Sequence, residues 1–320
     1  MISLRNVKTL LGTAAAAACL FSVTGQQANA ATLSPNWSYT IDSFNDGADL
    51  YKVGSKSSYE LYGMAMKEEN GKVFVAINAN LALTGQAEPT HPEVQDGNVG
   101  WGDLFFNFSG LSFKDASAQE KLFGIRFAGT NDSGAATTGL YSGVKAKSVG
   151  FENYSYSRFS KYQNWVENTA TDSNGQHGKV GFGDLTAAEA KDYLTKKNGV
   201  VEDTSYSIQN VIATGNKVGD IQALSAGELA SLNFAQYSAT GSQTFGFKFD
   251  RSLLPSGDAL ISLLEECIND GIAVKVTLAD NEPPTSIPEP SAVASLTLLG
   301  LGLFGTQMRR RAYPTVKVAK

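Results

Sequence analysis

Thr244-Phe245-Gly246-Phe247-Lys248-Phe249 puts a phenylalanine at every second position, and only an extended strand gathers those three rings on one face. The same reading extends along the chain. Residues 59–67 and 72–80 are β-type runs on either side of Glu69-Asn70-Gly71, and Asn-Gly between two such runs is the strongest short hairpin signal. Residues 104–108 and 122–127 are short aromatic-rich runs bounded by glycine, and 271–278 alternates with Ile272, Val274, Val276 and Leu278 on one side. The stretch 128–143, rich in Gly, Thr, Ser and Asn, reads as a loop or a weak edge.

Helix signals are fewer. Thr186-Ala187-Ala188-Glu189 is a capping box opening an Ala-rich helix to Asn198, with Gly199 as its stop. Ser225-Ala226-Gly227-Glu228 is a second box, opening a short helix to about Phe234. Residues 258–267 read as a third helix, with Leu260, Leu263 and Leu264 apolar and Asn269 to Gly271 ending it. The sum predicts a mainly β fold: an antiparallel β-sandwich of jelly-roll type with two or three short helices, spanning 31–280.

Both ends have the composition of addresses. Arg5 and Lys8 precede an uncharged apolar run, and Ala28-Asn29-Ala30 is a small-residue cleavage site before Ala31, so residues 1–30 read as a secretory signal peptide cut by signal peptidase. At the other end, 281–290 is a linker carrying Pro288-Glu289-Pro290. Residues 291–311 combine an apolar run of about 16 residues with the basic stop Arg309-Arg310-Arg311, and 312–320 remain as a cytoplasmic tail. The run is shorter than the roughly 20 residues of a comfortable spanning helix. Gly300, Gly302 and Gly305 thin it, which suits transient insertion, although a permanent anchor fits the same hydropathy. The arginines place this end in the cytoplasm and the bulk of the chain outside.

Pro288-Glu289-Pro290, the short hydrophobic stretch and the arginine cluster resemble the PEP-CTERM sorting signal handled by exosortase. That resemblance implies an inner-membrane-anchored precursor, removal of the tail, and delivery to the cell surface or the extracellular matrix. Several internal segments, among them Ile41-Asp42-Ser43-Phe44-Asn45-Asp46-Gly47, Trp101-Gly102-Asp103-Leu104 and Glu266-Cys267-Ile268-Asn269-Asp270, look like a cyanobacterial family of exosortase-dependent surface proteins. No activity is implied by that likeness.

Removing both ends lowers Lys+Arg from 26 to 19 and Asp+Glu from 31 to 30, leaving an exported domain with net charge of about −11. So acidic a surface argues against nucleic acid or anionic lipid as partner. Cys19 leaves with the signal peptide, so Cys267 is alone and reads as a small buried hydrophobe.

Catalytic patterns are sparse. No HExxH, GxSxG, P-loop or CxxC occurs, and His91 and His177 sit in Pro- or Gly-rich loops where solvation is the simplest expectation. The chain is therefore expected to be non-enzymatic, with no catalytic, cofactor or metal residues assigned and a secreted glycan-active hydrolase as the alternative. Calcium is the ionic candidate, as in a calcium-dependent adhesion module. Asp42-Ser43-Phe44-Asn45-Asp46-Gly47-Ala48-Asp49 packs oxygen ligands around a glycine, but Val53 stands where an EF-hand loop needs its final Glu. Asn269-Asp270-Gly271 is a second acidic turn, and ordinary Asx turns explain both segments as simply. Trp37, Tyr39, Trp101, Tyr154, Tyr156, Tyr162 and Trp165 are candidates for stacking on an extracellular polysaccharide, with the alternating segment 151–159 as the best surface, although a buried sheet face is the expected home of most of them. Finally, Val99-Gly100-Trp101-Gly102-Asp103-Leu104 is echoed by Val180-Gly181-Phe182-Gly183-Asp184-Leu185. A duplication or a recurring local turn would each produce that echo.

Overall fold

The computed structural model describes residues 30–280. The expected signal peptide before Ala30, including Ala28, and the sorting tail with Pro288, Glu289, Pro290, Arg309, Arg310 and Arg311 lie outside the described residues. No helix among the described residues is long and apolar enough to cross a membrane.

Twelve strands build two facing sheets. In chain order they are β1 (Ala31–Thr32), β2 (Ser38–Ile41), β3 (Leu61–Glu69), β4 (Lys72–Ala79), β5 (Leu104–Asn107) and β6 (Leu122–Arg126). There follow β7 (Gly139–Lys147), β8 (Val211–Gly219), β9 (Gln222–Ala223), β10 (Gln243–Asp250), β11 (Gly257–Leu264) and β12 (Gly271–Leu278). The seven-stranded sheet runs β1-β12-β11-β5-β6-β7-β8 and the five-stranded sheet β9-β10-β4-β3-β2. All pairs are antiparallel except β1 with β12, where Ala31 lies opposite Val276. This is the antiparallel β-sandwich expected from the sequence.

The alternating phenylalanines of β10 explain how the sheets meet. Phe245 packs edge-on against Trp101 at 5.7 Å between ring centroids, Phe247 stacks on Phe127 at 5.4 Å, and Phe249 meets Phe106 at 6.0 Å. Met64, Met66, Val75 and Ile77 of the β3–β4 hairpin join this layer, as do Ile261, Leu263, Ile272 and Val274 of β11–β12. The hairpin turn is the one its Asn-Gly pair specifies, since Asn70 and Gly71 both take positive φ.

A second apolar layer covers the outer face of the larger sheet. Helices α1 (Phe113–Ala118), α2 (Phe159–Asn168) and α3 (Ala187–Thr195) supply Phe113, Phe159, Tyr162, Val166 and Leu194 to it. A short α4 (Ala226–Leu229) and the turn after it lie over the smaller sheet, where Phe234 packs on Tyr39.

That layer accounts for the main correction to the sequence reading. Residues 258–267 are not a helix, because β11 occupies them through Leu264, in register with β12 from Gly257–Leu278 to Leu264–Gly271. Ala259, Ile261 and Leu263 face the inter-sheet core, while Leu260 and Leu264 pack under the helices. A strand covered on both faces is apolar at both parities, and over so short a run that imitates helical spacing.

Smaller corrections have equally local causes. The Thr186 capping box forms, but α3 ends at Thr195, and Asn198-Gly199 turns a two-residue hairpin between Lys196–Lys197 and Val200–Val201. The Ser225 box also forms, with α4 ending at Leu229 instead of near Phe234. Within 128–143, residues from Gly139 onward belong to β7, paired on both sides. The loop before it is organised by the Arg126 guanidinium, which donates to the carbonyls of Gly129, Asn131 and Ala135. Helices α1 and α2 carry no signal the sequence reading detected. The start of α2 is capped from afar, with the Asp203 carboxylate accepting from the Phe159 and Ser160 N–H groups at 2.9 and 3.0 Å.

Candidate functional site

Helix α2 divides its residues by face. Phe159, Tyr162 and Val166 are buried, while Lys161, Asn164 and Trp165 look the other way, as 3.6-residue spacing requires. Those three side chains form one wall of a cleft of about 700 Å³. The loop holding Tyr154 and Tyr156 forms a second wall, and the turn between β11 and β12 contributes Cys267 and Asn269. The loop is pinned at Asn153, whose amide donates to Asp132 Oδ2 at 2.8 Å and to the Val149 carbonyl at 3.0 Å.

The cleft has an aromatic rim. Tyr154 is 49% exposed and stacks against His91 with ring centroids 4.4 Å apart. Tyr206 is paired edge-on with the exposed Phe151, and Tyr51 leans on Trp165, whose indole N–H donates to the Leu50 carbonyl. Exposed aromatics clustered around a concavity mark a contact surface, whereas scattered ones do not. Backbone strain gathers here too. Leu50, Tyr154 and Tyr206, all lining the cleft, have positive φ, as does Ile268 between the lining residues Cys267 and Asn269. Each such non-glycine residue costs about 1–2 kcal/mol, which persists where the surroundings enforce it.

The structure sorts the sequence candidates. Tyr154, Tyr156 and Trp165 come together in the cleft, so part of segment 151–159 forms a surface wall, while Asn153, Ser157 and Phe159 within it are buried. Trp101 and Tyr162 are buried, and Trp37 and Tyr39 belong to the packing over the smaller sheet. His91 is a half-buried stacking partner of Tyr154 and not simply solvated, while His177 is exposed. Cys267 is 2% exposed with its thiol pKa pushed up by burial, the state of an inert packing residue. The missed lining residues, Leu50, Asn164 and Tyr206 among them, lie far apart in sequence, and only the fold brings them together.

A second cluster lies at the far side of the β11–β12 turn. The two acidic segments noted in the sequence converge: Asp42, Asp46 and Asp270 each offer a carboxylate oxygen, and these oxygens lie within 4.8 Å of one another. The arrangement is not an EF-hand, because the third ligand comes from a different segment of the chain. Glu60, which no sequence signal marked, is coupled electrostatically to all three. All four are buried, and burial first, then repulsion from neighbouring carboxylates, raises the pKa of Asp42, Glu60 and Asp270. Asp46 is raised to about 7 by burial, partly offset by the hydrogen bond from Gly181 N–H.

Residues 286–311 match the family model described as the PEP-CTERM protein-sorting motif. The tail is an exosortase sorting signal. The chain thus carries the mark of an exported, surface-sorted protein, while the matched residues say nothing about what the sandwich does. No curated protein and no solved structure matches the chain.

Proposed function

We propose that this chain is a non-enzymatic surface or matrix module that contacts extracellular polysaccharide through the aromatic-rimmed cleft. Its precursor is held in the inner membrane by the C-terminal segment until exosortase removes it. The observation that carries the reading is the coincidence of exposed rings and strained backbone at one concavity. Sugar rings present C–H faces that stack on tyrosine and tryptophan, and their hydroxyls find partners in the exposed Asn164 and Arg158 around the same cleft. The likeness to a cyanobacterial surface family rests on short internal segments without a matched relative, and the reading does not draw on it.

The test uses mature protein recovered from an exosortase-bearing host and a microarray of bacterial exopolysaccharides. Tyr154→Gly removes the exposed ring and relieves the positive φ, so the variant should fold at least as well while losing about tenfold in binding. Unchanged binding by that variant, or a blank array, defeats the polysaccharide reading. Because Asp49, Glu88 and Glu93 also line the cleft, a secreted hydrolase is the second reading. It requires release of new reducing ends from whichever glycan binds, abolished by Glu88→Gln or Glu93→Gln.

A further inference from the structure

The buried acids beside the β11–β12 turn are each held by backbone N–H groups on one side. Gly183 donates to Asp42 Oδ1 at 2.8 Å, Gly181 to Asp46 Oδ2 at 2.6 Å, and Gly47 to Glu60 Oε2 at 2.9 Å. Leu61 and Gly271 donate to the two oxygens of Asp270 at 2.8 and 2.7 Å. The remaining oxygens, Asp42 Oδ2, Asp46 Oδ1 and Glu60 Oε1, are buried without any hydrogen-bond partner. None of the ion pairs among the described residues involves these four acids. Orphaned carboxylate oxygens in a dry interior are costly, and several carboxylates together multiply the cost. Asp42, Asp46 and Glu60, each fixed at one oxygen by a backbone N–H and bare at the other, have the organisation of a cation site, with Asp270 held beside them at both oxygens.

We propose that Asp42, Asp46 and Asp270, with Glu60 beside them, bind one divalent cation of calcium's size inside the sandwich. The three offered oxygens lie within 4.8 Å of one another, close enough to share one ion. Calcium, the larger ion, takes several carboxylate oxygens in irregular geometry, whereas the smaller magnesium keeps several waters and takes one or two carboxylates. The ion joins the 42–46 segment, the β11–β12 turn and the Gly181–Gly183 backbone, so it acts as an internal cross-link for a domain with a single free cysteine and no disulfide among the described residues. It is independent of the polysaccharide reading, because none of its readouts involves a sugar.

The test is a thermal melt of the full chain in detergent, first refolded in EDTA and then titrated with calcium or magnesium. Saturating calcium should raise Tm by about 5 °C or more, reversibly with EDTA and at one equivalent per chain. Terbium should occupy the same site and be sensitised by Tyr162, whose hydroxyl donates to the Asp46 carbonyl at 3.0 Å. Asp46→Asn should lose the calcium-dependent gain, while Asp220→Asn at an exposed ion pair keeps it. If Asp46→Asn does not fold, displacement of terbium by calcium in the wild-type chain decides alone. No Tm shift and no sensitised emission overturns the site, since protonated acids would then account for the cluster. An equal shift from magnesium at the same concentration overturns the size assignment.

Discussion

The echoed segments 99–104 and 180–185 fold alike in ways their sequence similarity does not require. In both, the aromatic residue is buried, with Trp101 0% and Phe182 2% exposed. In both, the aspartate brackets a neighbouring stretch of backbone. Asp103 N–H donates to the Asn210 carbonyl and its carboxylate accepts from Ile212 N–H at 2.7 Å, while Asp184 does the same with the Ala273 carbonyl and Lys275 N–H at 2.9 Å. The difference lies in the second glycine. Gly102 N–H meets the backbone carbonyl of Leu264, whereas Gly183 N–H meets Asp42. One copy is therefore a closed structural staple, and the other uses the same staple to present N–H groups to the acidic cluster. Asp103 has both oxygens occupied, by Asn131 Nδ2 at 2.9 Å and by Ser133 Oγ and Ile212 N–H, while Asp42 and Asp46 each keep one bare. The contrast separates a carboxylate closed by hydrogen bonds on both oxygens from two that each keep one oxygen open.

The largest effect should come from cutting the two staples. Asp103→Ala strands three donors in the interior and should cost about 3–5 kcal/mol in urea unfolding. Asp184→Ala frees only the Lys275 N–H and the Thr40 hydroxyl from a half-buried site, for about 1–2 kcal/mol. Equal losses would break the claim that the first copy is the deeper staple.

A smaller effect concerns pH. Burial raises Asp103 to about 6 against hydrogen bonds from Ile212, Ser133 and Asn131 that pull it down, and raises Glu266, which accepts from Gly100 N–H, to about 8. Between the unfolded and folded pKa values the unfolded chain has released a proton that the folded chain retains. Stability must then fall as pH rises, from about 4 to 6 for Asp103 and from about 4.5 to 8 for Glu266. Asp103 should account for about 3 kcal/mol of that fall. Urea unfolding across this range should show the slope, and Glu266→Gln should flatten it above pH 6.

Six strands of the sandwich, β3 to β6, β10 and β12, and two of its capping boxes are legible because their signals are local: alternation at β10, Asn-Gly at the hairpin, Thr186 and Ser225 with their glutamates. What could not be read depends on partners distant in sequence. Asp203 caps α2 across the fold, β11 is apolar on both faces because helices lie over it, and Glu60 joins the acidic cluster without any motif. The site was half visible. Asp42, Asp46 and Asp270 stood out as acidic turns, but only the pairing of β11 with β12 and the Gly181–Gly183 contacts bring the two turns together.

The finest probe of the two staples is their hydroxyl donors. Ser133 Oγ donates to Asp103 at 2.6 Å and also accepts from Ala135 N–H, whereas Thr40 Oγ1 donates to Asp184 at 3.2 Å and makes no other hydrogen bond among the described residues. A shorter bond to a more deeply buried carboxylate is the stronger one, since less water competes for either partner. Ser133→Ala should then cost about 1–2 kcal/mol and shift the Asp103 slope to higher pH, because a bond favouring the ionised form is lost. Thr40→Val, which keeps shape and removes the hydroxyl, should cost no more than about 1 kcal/mol and leave that slope where it was. A slope that moves with Thr40→Val would mean the two staples are coupled through the sheet, and the comparison would have to be redrawn as one network.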